Sequence, residues 1–198
     1  MLPIVVPQEQ IEAIRAELSI PLSVGGGVRT IDDALAMLRA GADKVGINTA
    51  AVERPELIAE IAERVGRQCV VLSIDAAEGR VHGERWQVVT HAGTRRRDAG
   101  VVSWARQGQD LGAGEILLTS WDRDGTQAGY DTDLIEAVHR AVRIPIIASG
   151  GADTPAHMQE AFYAGASAVL AASIFHDGRR AVSSVKQELA ELGVEVRP

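Results

Sequence analysis

The chain contains one internal repeat, and this repeat constrains its fold more than any other feature. Residues 20–27 align without a gap with residues 144–151, and the match continues at a constant offset of 124 positions. Further matched pairs are Thr30 with Thr154, Gly41 with Gly165, Val45 with Val169, Asn48 with Ala172, and Thr49 with Ser173. Two blocks of one design are typical of a (β/α)8 barrel built from two similar halves, whereas an open doubly wound sheet does not predict such a repeat.

Six short apolar runs predict buried strands, and they lie at 20–24, 44–47, 69–74, 115–120, 145–149 and 169–173. Each interval between them contains a helical pattern, and two further helices are predicted at 8–18 and 182–192. Strands that alternate with helices indicate βαβ units and a parallel sheet. The interval at 79–90 predicts a hairpin inserted after the third of these strands, and Arg95-Arg96-Arg97 after it predicts a solvated loop.

The number of strands and the position of the repeat together predict an incomplete barrel. An eight-unit barrel usually needs about 200 to 250 residues, and this chain of 198 residues has six predicted strands. The two blocks correspond to the third and fourth strands of one half and the seventh and eighth of the other. We therefore expect a single domain over 1–198 that covers roughly strands three to eight, with strands one and two before Met1.

Glycines and polar residues follow the strands of both blocks and predict two phosphate cradles. Glycine lets the backbone approach an anion closely, and N–H groups at a helix start then bind the anion. An alternative is that the glycines only make tight turns between strand and helix, but two aligned copies favour phosphate binding. The residues concerned are Gly26, Gly27, Asn48 and Thr49 in one block, and Gly150, Gly151, Ala172 and Ser173 in the other.

Carboxylates at two other strand ends are candidates for chemistry. Asp75 ends an otherwise apolar run, so it is expected to point into the barrel mouth as a general acid or base. Its alternative role is to cap the next loop. Asp124 and Gly125 follow the strand at 115–120, where Gly125 suits an anion and Asp124 suits substrate, although Asp-Gly pairs also make ordinary turns.

Composition excludes several classes of function. The formal net charge of −7 argues against a general nucleic-acid or acidic-membrane surface, and no apolar run approaches the length of a membrane span. The only cysteine, Cys69, is expected to be buried packing and allows no intrachain disulfide, which favours the cytoplasm. The five histidines lack the spacing of metal ligands, so we expect no metal and no cofactor.

From residue 20 to its end, the chain resembles the cyclase subunit of imidazole glycerol phosphate synthase, from histidine biosynthesis. The resemblance is carried by Val24-Gly25-Gly26-Gly27-Val28, Gly41-Ala42-Asp43-Lys44-Val45, residues 47–52, residues 112–120, Asp122-Arg123-Asp124-Gly125-Thr126, residues 147–152 and residues 170–176. It implies a barrel of the phosphate-binding ribulose-phosphate type. The stretches at 122–126 and 170–176 distinguish this subunit from the sister isomerase of the same pathway.

The resemblance implies a reaction and a partner. The family takes ammonia from a glutaminase subunit, with which it forms a heterodimer, and reacts it with a phosphoribulosyl-formimino aminoimidazole carboxamide ribonucleotide. The products are imidazole glycerol phosphate and the aminoimidazole carboxamide ribonucleotide, and the bisphosphate substrate suits the two cradles.

The resemblance also assigns roles to single residues. It makes Asp75 a catalytic aspartate and places Thr119 and Asp124 at the mouth. One phosphate belongs to Gly27, Asn48 and Thr49, and the other to Gly125, Gly151, Ala172 and Ser173. Asp43, Lys44 and Glu115 fall on the N-terminal barrel face, where the family docks the glutaminase and admits ammonia.

The family's other catalytic aspartate lies on the first strand, and the 198 residues contain no match to that segment. By the repeat, the counterpart of Asp75 would lie about 50 positions before Met1. Three explanations for the absent segment are open: the start site is placed too late, the chain is a fragment that pairs with another chain, or it is a decayed copy. The alternative functions are a non-catalytic bisphosphate-binding or interaction remnant, and the sister isomerase.

Overall fold

The computed structural model describes residues 6–197, in which strands and helices alternate along most of the chain. The strands are β1 (Ser23–Gly25), β2 (Lys44–Ile47), β3 (Val70–Val81), β4 (Glu84–Thr90), β5 (Arg95–Gly100), β6 (Glu115–Ser120), β7 (Ile146–Ser149) and β8 (Ala168–Val169). The helices are α1 (Gln8–Glu17), α2 (Ile31–Arg39), α3 (Thr49–Glu53), α4 (Glu56–Val65), α5 (Val101–Asp110), α6 (Thr132–His139), α7 (Pro155–Tyr163), α8 (Ser173–His176) and α9 (Val182–Glu191). Within the described residues, none of these helices has the length and apolar character required to span a membrane.

The hydrogen-bonded strands follow the order β1-β2-β3-β6-β7-β8. The pairs β1–β2, β2–β3 and β7–β8 are parallel. Strand β4 pairs antiparallel with β3, and β5 pairs antiparallel with β4. This confirms the α/β class and the inserted hairpin and fits a (β/α)-barrel type, while the incomplete barrel and the single domain over 1–198 stay predictions.

The described residues form two compact units, of which the first contains residues 6–73 and 105–116. Its core contains apolar side chains with almost no exposed surface, which come from strands β2, β3 and β6 and from helix α4. These side chains are Val45, Ile47, Leu57, Ile58, Ile61, Leu72 and Ile116. The residues of α4 that reach this core recur at the three- to four-residue spacing of an amphipathic helix, which explains why 56–65 is helical.

The second unit contains residues 74–104 and 117–197. Its buried side chains come from the second part of β3 and of β6, from β4 and β7, and from helices α6, α7 and α8. The fully buried side chains include Ile74, Val88, Leu118, Leu134, Ile146, Ala161 and Ile174. Glu84 of the hairpin accepts hydrogen bonds from Val102 N (2.7 Å) and Ser103 N (3.0 Å), so it satisfies two of the unpaired N–H groups at the start of α5.

The repeat seen in the sequence is reproduced in the local structure of the two blocks. Thr30 caps α2 by accepting from Asp33 N, and Thr154 caps α7 by accepting from His157 N. The glycines that follow these helices have φ 111° at Gly41 and 108° at Gly165. Both strand pairs also have the same register, because Ser23 lies opposite Lys44 and Ile147 opposite Ala168. The offset of 124 positions is therefore a structural repeat.

Some local predictions need correction. Arg95–Gly100 is a strand of the inserted sheet, so the basic run is not a loop; Arg97 Nε donates to the buried Thr90 Oγ1 at 2.7 Å. Cys69 ends a short 3-10 helix, Arg67–Cys69, and is only partly buried. The strand predicted at 169–173 is instead Ala168–Val169, and Ser173 is already the first residue of α8.

Candidate functional site

The first candidate phosphate cradle lies in the first unit, where β1 and β2 end. Gly26 and Gly27 directly follow β1, with φ 97° and 80°. Asn48 directly follows β2, and Thr49 is the first residue of α3. Because Gly25 lies opposite Gly46 in the parallel pair, the two strands end side by side. The structure therefore brings together the four residues that the sequence predicts for this cradle.

The second candidate cradle lies in the second unit, where β7 and β8 end. Gly150 and Gly151 follow β7, with φ 94° and 92°. Ala172 precedes α8, and Ser173 is its first residue. The backbone continues the β7–β8 pairing beyond the strand, since Leu170 N donates to Ala148 O at 2.8 Å. These four residues are also brought together.

The two glycines of the second cradle stand against the loop that follows β6. A Cβ at Gly150 would lie 2.6 Å from Ser120 O and 3.4 Å from Asp124 N. A Cβ at Gly151 would collide with Gly129 O, and Gly129 N donates to Gly151 O at 2.9 Å. With positive φ at both positions, only glycine fits this close approach without strain. The same contacts bring the backbone of Asp124 beside the second cradle.

Residues 121–128, in the loop after β6, are exposed to solvent. Gly125 has φ 72°, and a Cβ there would meet no atom within 4 Å. Asp124 is exposed and Thr119, in β6, is partly buried. Gly125 is thus free of the packing constraint that holds Gly150 and Gly151, and its φ remains the feature that favours glycine there.

Asp75 lies on β3 where the strand continues into the inserted hairpin. It is partly buried and stands opposite Val89 of β4. The next residue, Ala76, accepts from Trp121 N at 2.8 Å through its carbonyl oxygen, so the backbone after Asp75 is fixed to the end of β6. Thr90, which follows Val89, is completely buried, and its Oγ1 lies 3.1 Å from His91 Nδ1. The backbone at Asp75 is therefore paired with β4 on one side and bonded to the end of β6 on the other.

Lys44 and Glu115 are the first residues of β2 and β6, so they lie at the strand ends opposite to the cradle residues. Lys44 Nζ lies 2.6 Å from Glu115 Oε2, and their side chains are 33% and 15% exposed. The side chain of Asp43 makes two hydrogen bonds within the fold: its Oδ2 accepts from Leu22 N at 2.8 Å and from Arg15 Nη1 at 3.1 Å. The structure brings Lys44 and Glu115 together, and it gives Asp43 partners that hold α1 to the start of the sheet.

Two titrating groups beside the cradles have shifted pKa values. The N–H groups of Arg29 and Thr30 donate to Asp33 Oδ2, both at 2.9 Å, and the bond from Arg29 is the larger cause that lowers the pKa of Asp33 below its ordinary 3.8. Burial raises the pKa of Tyr130, whose hydroxyl donates to Leu170 O at 2.9 Å. Both groups stabilise the loops around the strand ends and stay in one protonation state at neutral pH.

Sequence reasoning missed an ion pair at the second cradle. Arg179 Nη1 lies 2.8 Å from Asp153 Oδ1, and Arg179 Nη2 donates to Ser173 Oγ at 3.5 Å. Asp153 directly precedes Thr154, which caps α7. No spacing in the sequence pairs residues 26 positions apart in two different loops, so no signal there could have identified this contact.

Comparison with known proteins identifies the family to which the chain belongs. Residues 6–180 match the family model described as histidine biosynthesis protein. The chain is 53% identical over 187 residues to imidazole glycerol phosphate synthase subunit HisF of Thermococcus gammatolerans, covering 94% of this chain and 73% of that protein. The HisF proteins of Mycobacteroides abscessus and Corynebacterium diphtheriae are 51% and 52% identical over 185 residues, each covering 91% of this chain and 72% of the relative.

These matches favour the cyclase subunit over the sister isomerase, since all three relatives bear the HisF name. The matched region also contains both cradles, Asp75 and the Lys44–Glu115 pair. The chain therefore belongs to the histidine biosynthesis protein family and, within it, to the HisF cyclase subunits of imidazole glycerol phosphate synthase.

Proposed function

We propose that this chain binds a bisphosphate substrate by its two ends and closes an imidazole ring on it with ammonia. The substrate is the phosphoribulosyl-formimino aminoimidazole carboxamide ribonucleotide, and the products are imidazole glycerol phosphate and the aminoimidazole carboxamide ribonucleotide. One observation carries this proposal: two cradles, 124 positions apart, have closely similar backbone conformations, which suits a substrate with a phosphate at each end.

In this proposal each phosphate is bound mainly by backbone N–H groups. Gly26, Gly27, Asn48 and Thr49 hold one phosphate, and Gly150 and Gly151 contribute to the other. Glycines with positive φ expose their N–H groups without a side chain to block the anion, and successive N–H groups form an anion-binding concavity. Gly125, Ala172 and Ser173 complete the second cradle.

Asp75 is the proposed general acid or base of the cyclisation. Ring closure requires protons to be removed from the incoming nitrogen and delivered to the leaving group, and a carboxylate can do both. The partly buried position of Asp75, on a strand that is fixed on both sides, suits a group that must hold its geometry. Thr119 and Asp124 are proposed to contact the substrate at the same strand ends.

The opposite ends of the strands are proposed to receive the ammonia. Lys44 and Glu115 form a charged pair at the first residues of β2 and β6, and we propose that they belong to the entrance through which ammonia arrives. Asp43, beside them, is proposed to lie on the face that docks a glutaminase subunit in a heterodimer. The HisF relatives are themselves named as subunits, which supports a partner of this kind.

In terms of the barrel, we propose that the six strands outside the hairpin correspond to strands three to eight of an eight-unit barrel. The repeat supports this assignment, because it makes β1–β2 and β7–β8 equivalent strand pairs of two halves. Asp75 then lies on the fifth strand. A cytoplasmic location is part of the proposal, since the single cysteine allows no intrachain disulfide.

The test is an assay of the purified chain with an ammonium salt and the bisphosphate substrate. We expect Asp75→Asn to reduce turnover at least about a hundredfold, the contribution typical of a general acid or base, while the dissociation constant of the bisphosphate stays within about threefold. Asp98→Asn is the matched control, because the Asp98 side chain is 85% exposed on β5. Bisphosphate binding without turnover in the unmodified chain would instead favour a non-catalytic binding module.

A further inference from the structure

An arginine outside the predicted cradle residues reaches the second cradle. Arg179 follows α8 by three positions, and its Nη2 donates to the hydroxyl of Ser173 at 3.5 Å. Ser173 lies four positions after the end of β8 and is the first residue of α8. The structure thus places a positively charged guanidinium against a side chain of this cradle.

A carboxylate from the neighbouring loop holds the guanidinium in place. Asp153, two residues after Gly151, accepts from Arg179 Nη1 at 2.8 Å, and the two side chains are 30% and 36% exposed. Asp177 Oδ2 lies farther away, 3.7 Å from Nε. With Nη1 engaged by Asp153, Nη2 is directed at Ser173, and a guanidinium that presents its planar edge in this way suits a phosphate oxygen.

The repeat shows that this ion pair belongs to the second block alone. The positions equivalent to Asp153 and Arg179 in the first block are Arg29 and Pro55. Arg29 contacts Asp33 through its backbone N–H, and proline has no group that could donate to an anion. The two cradles therefore have a common backbone but different side-chain chemistry, so their two anions need not be bound alike.

We propose that Arg179 is a direct contact of the phosphate in the second cradle and strengthens the binding of that end of the substrate. Asp153 then acts as a positioning residue, because it orients the guanidinium before the substrate arrives. This inference rests on the proposed function, since it assumes that the second cradle binds a phosphate. It adds a charged side chain to a site whose other donors are backbone groups and hydroxyls.

The test is the dissociation constant of the bisphosphate substrate, measured by titration calorimetry at low and high sodium chloride concentrations. Arg179→Gln should raise this constant about tenfold at low salt, in line with a lost charge-assisted hydrogen bond at a half-exposed site. It should also make the affinity less sensitive to salt, because one screened charge contact is gone. Arg179→Lys should give an intermediate constant, since it keeps the charge and loses the planar edge.

Arg180→Gln is the matched control. Arg180 is adjacent, and its Nη1 pairs with Glu188 Oε1 at 2.7 Å, away from the cradle residues. We expect the dissociation constant of the bisphosphate for Arg180→Gln to stay within about twofold of the value for the unmodified chain, because a typical surface ion pair contributes little. Equal weakening in both variants, or none in Arg179→Gln, would overturn this inference alone. A complete lack of bisphosphate binding in the unmodified chain would overturn the proposed function and the inference with it.

Discussion

Asn48 and Ala172 lie 124 positions apart and adopt nearly the same unusual backbone conformation, φ −132°, ψ −89° and φ −117°, ψ −68°. Each follows a strand, and each carbonyl oxygen accepts from the residue four positions later, Val52 N at 3.1 Å and His176 N at 3.0 Å. An amide and a methyl side chain therefore occupy the same turn. What the repeat preserves at these positions is the path of the backbone, which is the part that we propose contacts a phosphate.

Gly151→Ala should destabilise the second cradle. A Cβ would collide with Gly129 O, at a residue with φ 92°. We expect the free energy of unfolding to fall by about 2 kcal/mol or more, because strain and steric overlap act together. Gly178→Ala is the control, since Gly178 has φ 67° but open space around it, and it should cost only about 1 kcal/mol. Urea denaturation of both variants measures the free energy of unfolding. An equal decrease in the two variants would contradict the steric argument.

The Lys44–Glu115 pair should stabilise the chain by a measurable coupling energy. A double-mutant cycle of Lys44→Met and Glu115→Gln should give about 1 kcal/mol, the upper end for exposed pairs, because Glu115 is only 15% exposed. The pair of Arg54 with Glu60, with side chains 47% and 37% exposed, is the comparison and should give about 0.5 kcal/mol or less. Equal coupling energies in the two cycles would show that burial adds nothing to the Lys44–Glu115 pair.

Asp33 should make the stability of the first block depend on acid pH. Its pKa is lowered in the folded chain, chiefly by the N–H group of Arg29, so folding favours the carboxylate. The stabilisation is fully present above the ordinary pKa of 3.8 and is lost as the pH falls from there through the lowered value. Asp33→Asn should therefore weaken the chain at pH 7 by less than about 1 kcal/mol, since the site is partly exposed, and should reduce the loss of stability in acid.

The control for this experiment is Asp32→Asn, since Asp32 lies beside Asp33 in the first turn of α2 but outside the capping box. Unfolding curves in urea at pH 7, pH 5 and pH 3 compare the two variants. If Asp32→Asn changed the acid dependence as much as Asp33→Asn, general charge in the first turn would explain the effect, and the capping box would not.

Tyr130→Phe should destabilise the second unit by about 1 kcal/mol, the usual contribution of one hydrogen bond. The variant keeps the buried ring and removes only the bond from the hydroxyl to Leu170 O. Tyr163→Phe is the matched control, because Tyr163 is 77% exposed and should change stability by less than about 0.5 kcal/mol. Thermal unfolding of the two variants decides; a Tyr130→Phe protein as stable as the unmodified chain would show that water replaces the hydroxyl.

Much of the candidate site could be predicted because it depends on backbone conformation. Glycine at 26, 27, 150 and 151 is required where φ is positive, and that requirement leaves a mark in the sequence. The match of Thr30 with Thr154 has a similar origin, since each caps a helix by accepting from a backbone N–H only three positions away. The prediction of a solvated loop at 95–97 is wrong, because the strand there forms by pairing with β4.

The sequence by itself determined the alternation of strands and helices, the repeat at an offset of 124, and which residues stand where strands end. These follow from local periodicity and from the φ angles that residue types tolerate. Only the tertiary structure decided that Lys44 meets Glu115, and that Asp153 holds Arg179 against Ser173. Such contacts join residues far apart in the chain, and they depend on how close the fold brings two loops or strand ends, for which the order of residues carries no local signal.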